Sequence, residues 1–138
     1  MILLSKKLCM AKDIGIHGNL FGGIMMSWID EAAATYASEY CKTSSLVTVK
    51  MGEMVFKKAV KAGNHIRIYG NVSRLGNSSI TLNVEARRYN VISSEEIVVC
   101  STNITFVRID EEGNPIRIEA PRINEKRKKY IEDVILTC

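Results

Sequence analysis

No CxxC pair occurs in these 138 residues, and the four cysteines (Cys9, Cys41, Cys100, Cys138) form no cluster with either histidine. That scatter fits neither a zinc site nor a small disulfide scaffold, and it suits reduced thiols in a cytoplasmic protein. No apolar run approaches the length of a membrane span. The opening MILLSKKLCM carries too short an apolar run for a secretory signal, with its lysines after the run instead of before it. The Asn-x-Ser/Thr triplets at Asn71, Asn77 and Asn103 then have no meaning as glycosylation sites. A large excess of positive charge is also missing. The formal net charge of +4 is too small to argue for nucleic acid, although it suits an anionic, phosphate-bearing ligand.

What is present is ordinary globular composition, 46% hydrophobic and 25% charged, with length for one domain. Residues 22 to about 42 contain no proline and are rich in Ala, Met, Ile and Glu, which predicts one long helix. Ile24, Met25, Met26, Trp28, Ile29, Ala32, Ala33, Ala34 and Ala37 cover most of its circumference, so the helix is expected to be buried nearly all round. After it the pattern changes to period two. SITLNVEAR (79–87) places Ile80, Leu82, Val84 and Ala86 on one face, as a half-buried strand does. HIRIYGNV (65–72) alternates likewise, and 97–109 reads as a long apolar strand. In 46–56 the phase slips around Gly52, which predicts a β-bulge there. A first strand is expected over 2–10, and the tail PRINEKRKKYIEDVIL (121–136) reads as a short basic helix. The whole predicts an α+β domain in which a curled antiparallel sheet wraps one central helix. One sheet does not cover such a helix, so a homo-oligomer is expected.

HGNLFGGIMMSWIDEAA (17–33) concentrates the chemistry. Gly22 and Gly23 at the helix start either permit a tight turn or offer free N–H groups, backed by the helix dipole, to polarise a carbonyl. Their missing Cβ atoms would let that carbonyl come close. Asp30 either lies on a solvated polar stripe with Ser27 and Glu31, or is a desolvated carboxylate suited to general-base or nucleophilic work. Gly23 and Asp30 are seven positions apart, on one helix face but ~10 Å apart at 1.5 Å per residue. One chain does not easily bridge that gap, whereas two antiparallel helices would set Asp30 of one subunit against the glycines of another. Asn19 is either a turn or capping residue, or an amide that positions water or stabilises negative charge. His17 reads as an exposed turn residue.

These segments, with VTVKMGEMVFKKAVKAGNHIRIYGNV and RLGNSSITLNVEAR, resemble the hotdog-fold acyl-CoA thioesterases of the YciA-like and brain acyl-CoA hydrolase branch. The resemblance spans about residues 4 to 118. It implies a hotdog domain over 1–118, a basic appendage over 119–138, dimers with active sites shared across the interface, and trimers of those dimers. It implies that Asp30 is the catalytic aspartate, that Gly22 and Gly23 donate to the thioester carbonyl, and that Asn19 assists them. For coenzyme A it points to Thr48, Val49 and Lys50 on one strand and to the turn Asn77, Ser78, Ser79, with Arg74 or Lys50 supplying charge. Asn64 departs from the aspartate many relatives carry after the glycine.

The expected activity is hydrolysis of acyl-CoA to free acid and coenzyme A, with no metal and no cofactor beyond the substrate itself. A hydroxyacyl dehydratase is disfavoured, because its HFPG-like loop is absent. A non-catalytic acyl-CoA sensor using the same pocket is the alternative, with EKRKK (125–129) as a partner contact.

Overall fold

One long helix, α1 (Gly22–Cys41), lies across a six-stranded antiparallel sheet in the computed structural model, which describes residues 1–119. The strands are β1 (Ile2–Leu8), β2 (Leu46–Met51), β3 (Val55–Phe56), β4 (His65–Leu75), β5 (Ser79–Tyr89) and β6 (Glu96–Arg108). Their spatial order is β1-β4-β5-β6-β2, with β3 also paired to β6, so β1 forms one edge and β2 with β3 the other. The sheet is open, as both edges show.

The period-two strands do what their pattern predicts. Ile66 and Ile68 of β4, Ile80, Leu82, Val84 and Ala86 of β5, and Ile104 and Phe106 of β6 are buried against the helix. Removing each large apolar side chain from water stabilises the fold by about 2 kcal/mol. On α1 the buried residues are Met25, Ile29, Ala32, Ala33, Ala37 and Cys41. The alanines let the helix axis approach the sheet closely. Lys42 ends the helix in the left-handed region (φ 53°), with its N–H donating to the Ser38 carbonyl.

Three expectations need correction. The helix is not buried nearly all round within one chain: Gly23, Met26, Ser27, Glu31, Thr35 and Glu39 are exposed. The first strand stops at Leu8, not at residue 10, because Cys9 turns inward and its N–H donates to the Asn64 carbonyl at 2.9 Å. The segment 46–56 is two strands and not one, although an extra residue is inserted where the bulge at Gly52 is expected. Met51 pairs with Ile104 and Val55 with Ser101, so three residues of one strand oppose two of β6 and the ladder breaks over 52–54. A separate register shift lies between Thr48 and Lys50. The predicted basic helix over 121–136 lies outside the described residues.

Candidate active site

Asp30 projects from the middle of α1 toward the β2 edge and is half-buried. Its Oδ1 accepts a hydrogen bond from the Thr48 hydroxyl at 2.7 Å. Thr48 reaches it because Thr48 pairs with Phe106, which is buried under the helix, so the two share the inner face. The register shift that follows puts Lys50 opposite Thr105 instead, on the outer face where the Thr105 and Thr81 hydroxyls meet at 2.8 Å. Asp30 thus differs from its neighbours Ser27 and Glu31, which are exposed, in being half-buried and held by a residue of another element. One carboxylate oxygen is held by Thr48, and the other has no hydrogen-bond partner among the described residues.

A second group of candidate residues lies at the start of α1. Phe21 occupies the N-cap position without a side-chain cap, and the first turn contains no acidic residue. The Gly22 and Gly23 N–H groups thus find no carboxylate or hydroxyl there to neutralise the helix terminus. Phe56 of β3 lies over Gly22, close enough that an added Cβ would stand 3.8 Å from its ring. Asn19, Leu20, Gly22, Phe56, Lys57 and Val60 contribute to a cleft of about 420 Å³ at this point. The Asn19 side chain is not free: its Oδ1 accepts from the Lys61 ammonium.

The chain brings Asn19 and Gly22 together and Asp30 and Thr48 together, but the two pairs stand at opposite ends of the same edge. The helix runs from Gly22 to Asp30 while β2 and β3 run back from Thr48 to Phe56. The remaining sequence candidates spread across the neighbouring strands. Val49 is exposed at the register shift, and Arg74 is exposed on β4 opposite Thr81. Ser79 and Val47 both pair with Val107, so they share one row two strand spacings, ~10 Å, apart. The Ser78 and Asn77 carbonyls accept from the Arg108 and Ile118 N–H groups, which fixes that turn. His17 is exposed, as expected.

Cys9 and Cys100 do not compete with Asp30 as nucleophiles. Cys100 is fully buried, and burial pushes its thiol up to about 11, against a smaller opposing pull from Lys57. The Cys9 thiol is also raised, by burial and then by Asp13. Neither supplies a thiolate near neutral pH. Two contributors escaped sequence analysis. Lys61 lies 42 positions from Asn19, and Phe56 reads as one more apolar strand residue.

The family model described as "Thioesterase superfamily" matches residues 17–94, which hold Asn19, the glycine pair, Asp30 and Thr48. The chain belongs to the thioesterase superfamily. Within that superfamily it is 34% identical over 128 residues to a Haemophilus influenzae protein named as an uncharacterized acyl-CoA thioester hydrolase; the match covers 91% of this chain and 81% of that one. HI0827, a hexameric broad-specificity acyl-coenzyme A thioesterase solved as an aspartate-to-alanine mutant, has a similar structure. It shows a TM-score of 0.81 at 31% identity, covering 96% of this chain and 98% of that one. An acyl-CoA hydrolase from Staphylococcus aureus, solved with butyryl coenzyme A, coenzyme A and coenzyme A disulfide, gives 0.77 at 26% identity, covering 96% and 90%. The fold of this thioesterase-superfamily chain is the hotdog fold expected from the sequence.

Proposed function

We propose that the chain hydrolyses acyl-CoA thioesters to a free carboxylic acid and coenzyme A, at active sites each built from two protomers. The observation that carries the reading is Asp30, oriented by Thr48 at the open edge of a superfamily fold whose relatives are named for this reaction.

The geometry supports a shared site. The β2–β3 edge exposes Val47, Val49, Val55 and Phe56, flanked by Phe21 and Met26 of the helix start. Such an apolar, unpaired edge is a template for a second strand. An antiparallel pairing of the edge with its own copy has a two-fold axis between Thr48 and Phe56. That axis exchanges the two ends, setting Asp30 and Thr48 of one protomer against Asn19, Gly22 and Phe56 of the other. HI0827 is a hexamer, and three such dimers are proposed for this chain.

In the proposed reaction the thioester carbonyl oxygen faces the Gly22 and Gly23 N–H groups, whose hydrogen bonds strengthen as negative charge develops. Asp30 acts through the oxygen that Thr48 leaves free, in one of two ways. As a base it takes a proton from water while that water attacks the carbonyl carbon, and the proton passes to the departing sulfur. As a nucleophile it forms an acyl anhydride and expels coenzyme A as a thiolate that takes its proton from water, and a second water then hydrolyses the anhydride to the free acid and the Asp30 carboxylate. Coenzyme A is assigned to Thr48, Val49 and Lys50, to the Asn77–Ser79 turn and to Arg74, on the strength of residue types and the family resemblance.

Thiol release from a panel of short to long acyl-CoAs tests the reading, with wild type and Asp30→Asn compared. Wild type is expected to turn over, and the variant to lose at least about a hundredfold in kcat while still binding acyl-CoA. Binding without turnover by wild type would establish the sensor reading in its place.

A further inference from the structure

We propose that Lys61 is a positioning residue for Asn19, committing the Asn19 amide to donate its N–H groups to the oxyanion of the reaction. The inference rests on the hydrolase reading and deepens it.

The two residues meet because their chain segments are fastened beside them. Leu20 N–H donates to the Val60 carbonyl at 2.8 Å, and both side chains are buried. Asn19 precedes Leu20, and Lys61 follows Val60. Each side is fixed further by its own turn. The Asn19 carbonyl accepts from Gly15 N–H at 2.8 Å, and Phe21 N–H donates to the Asp13 carbonyl at 2.9 Å. On the other side Lys61 N–H donates to Asn64 Oδ1 at 2.8 Å, and Gly63 N–H donates to the Cys9 carbonyl at 2.8 Å. The Lys61 ammonium then donates to Asn19 Oδ1.

The chemistry of the pair decides which end of the amide a substrate meets. An ammonium has three donors and no acceptor, so only the amide oxygen can satisfy it. The NH₂ group is what remains for the cleft that Asn19 and Gly22 line. An asparagine that held an attacking water by accepting its proton would use the second lone pair of that oxygen, which the ammonium leaves open but makes a weaker acceptor. Asn19 thus turns its NH₂ group to the reaction and joins the uncapped Gly22 and Gly23 N–H groups as a third donor to negative charge. The ammonium also polarises the amide, making its N–H groups better donors. Lys61 is exposed, and water screens its charge, so the effect expected is about tenfold in rate.

The test is steady-state kinetics on the best acyl-CoA of the panel for wild type, Lys61→Met, Lys61→Arg, Asn19→Ala and the Lys61→Met/Asn19→Ala double variant. Lys61→Met is expected to lower kcat about tenfold with KM within about twofold, the signature of an interaction made in the transition state. Lys61→Arg, which keeps a donor, is expected within about threefold of wild type. In the Asn19→Ala background the Met substitution is expected to add less than about twofold, because the residue through which Lys61 acts is gone. Lys61→Leu, which also removes the donor, serves the same comparison if the Met variant fails to fold. Unchanged kcat, or equal losses in both backgrounds, overturns the assignment. So does a raised KM at constant kcat, which would make Lys61 a contact to the phosphates of coenzyme A. Thiol release absent in wild type would instead overturn the hydrolase reading and carry this inference with it.

Discussion

Gly22 separates stability from activity at a single atom. An alanine Cβ there would stand 3.8 Å from the Phe56 ring, an ordinary van der Waals contact. Alanine also favours the helix over glycine by up to about 1 kcal/mol. Gly22→Ala is therefore expected to keep or raise the melting temperature while kcat/KM falls at least about tenfold, because the methyl group occupies the approach of the carbonyl to the backbone donors. Calorimetry beside the thiol-release assay checks both halves, and a loss of activity that tracks a loss of stability would defeat the argument. Gly23 is less clean, since a Cβ there would lie 2.9 Å from the Phe21 ring and push it aside. At this scale the sequence was informative about residue type. Asn19, the glycine pair and Asp30 fall in one short segment, and it is the family resemblance that singles them out there. The pairings that hold Asn19 and Asp30 were not legible. Thr48 meets Asp30 across 18 positions and Lys61 meets Asn19 across 42, and only the tertiary fold closes such distances.

At the scale of the element, β2 and β3 show why a clear alternation is easier to read than a broken one. β4 and β5 alternate cleanly over the segments that predict them and appear where the pattern puts them, each running beyond the expected end, with a register shift in β4 only past Val72. The sequence 46–56 loses phase at two places, between Thr48 and Lys50 and again over 52–54, and one apparent slip at Gly52 stood for both. The glycine has its own reason. Its N–H donates to the Asn103 carbonyl at 2.8 Å, and a Cβ at this position would lie 2.3 Å from Asn103 Oδ1. Gly52 does not have a positive φ, so alanine is conformationally permitted and the conflict is with one exposed side chain. Forcing Asn103 off its rotamer costs about 1 kcal/mol, while replacing glycine by alanine in a permitted conformation stabilises by about 0.5 kcal/mol. Gly52→Ala is thus expected to be mildly destabilising in urea unfolding. In an Asn103→Ala background the same substitution is expected to become neutral or stabilising. An unchanged sign in the second background would show that the backbone, and not Asn103, requires glycine.

At the scale of the whole molecule, the proposed dimer is what would bring the two halves of the site together. Within a chain, Gly23 and Asp30 are ~10 Å apart along the helix, and neither half performs the proposed reaction by itself. If two protomers share each site, inactivating variants in different halves complement one another. Asp30→Asn spoils one half and Asn19→Ala the other. In a mixed dimer one site inherits both defects, while its twin takes Asp30 from the Asn19→Ala protomer and Asn19 from the Asp30→Asn protomer, and is intact. Random pairing of equal amounts makes half the dimers mixed, with one of two sites working, so about a quarter of wild-type activity is expected for a two-fold dimer. The experiment is co-refolding, or subunit exchange followed to equilibrium, with each variant alone as control. Sites complete within a single chain would give only the mean of the two variants' residual activities. The same reasoning makes the edge itself a test surface. A charge at Val49, 55% exposed in the isolated chain, would oppose edge pairing and abolish complementation along with turnover, while leaving the helix-to-sheet core of each protomer untouched.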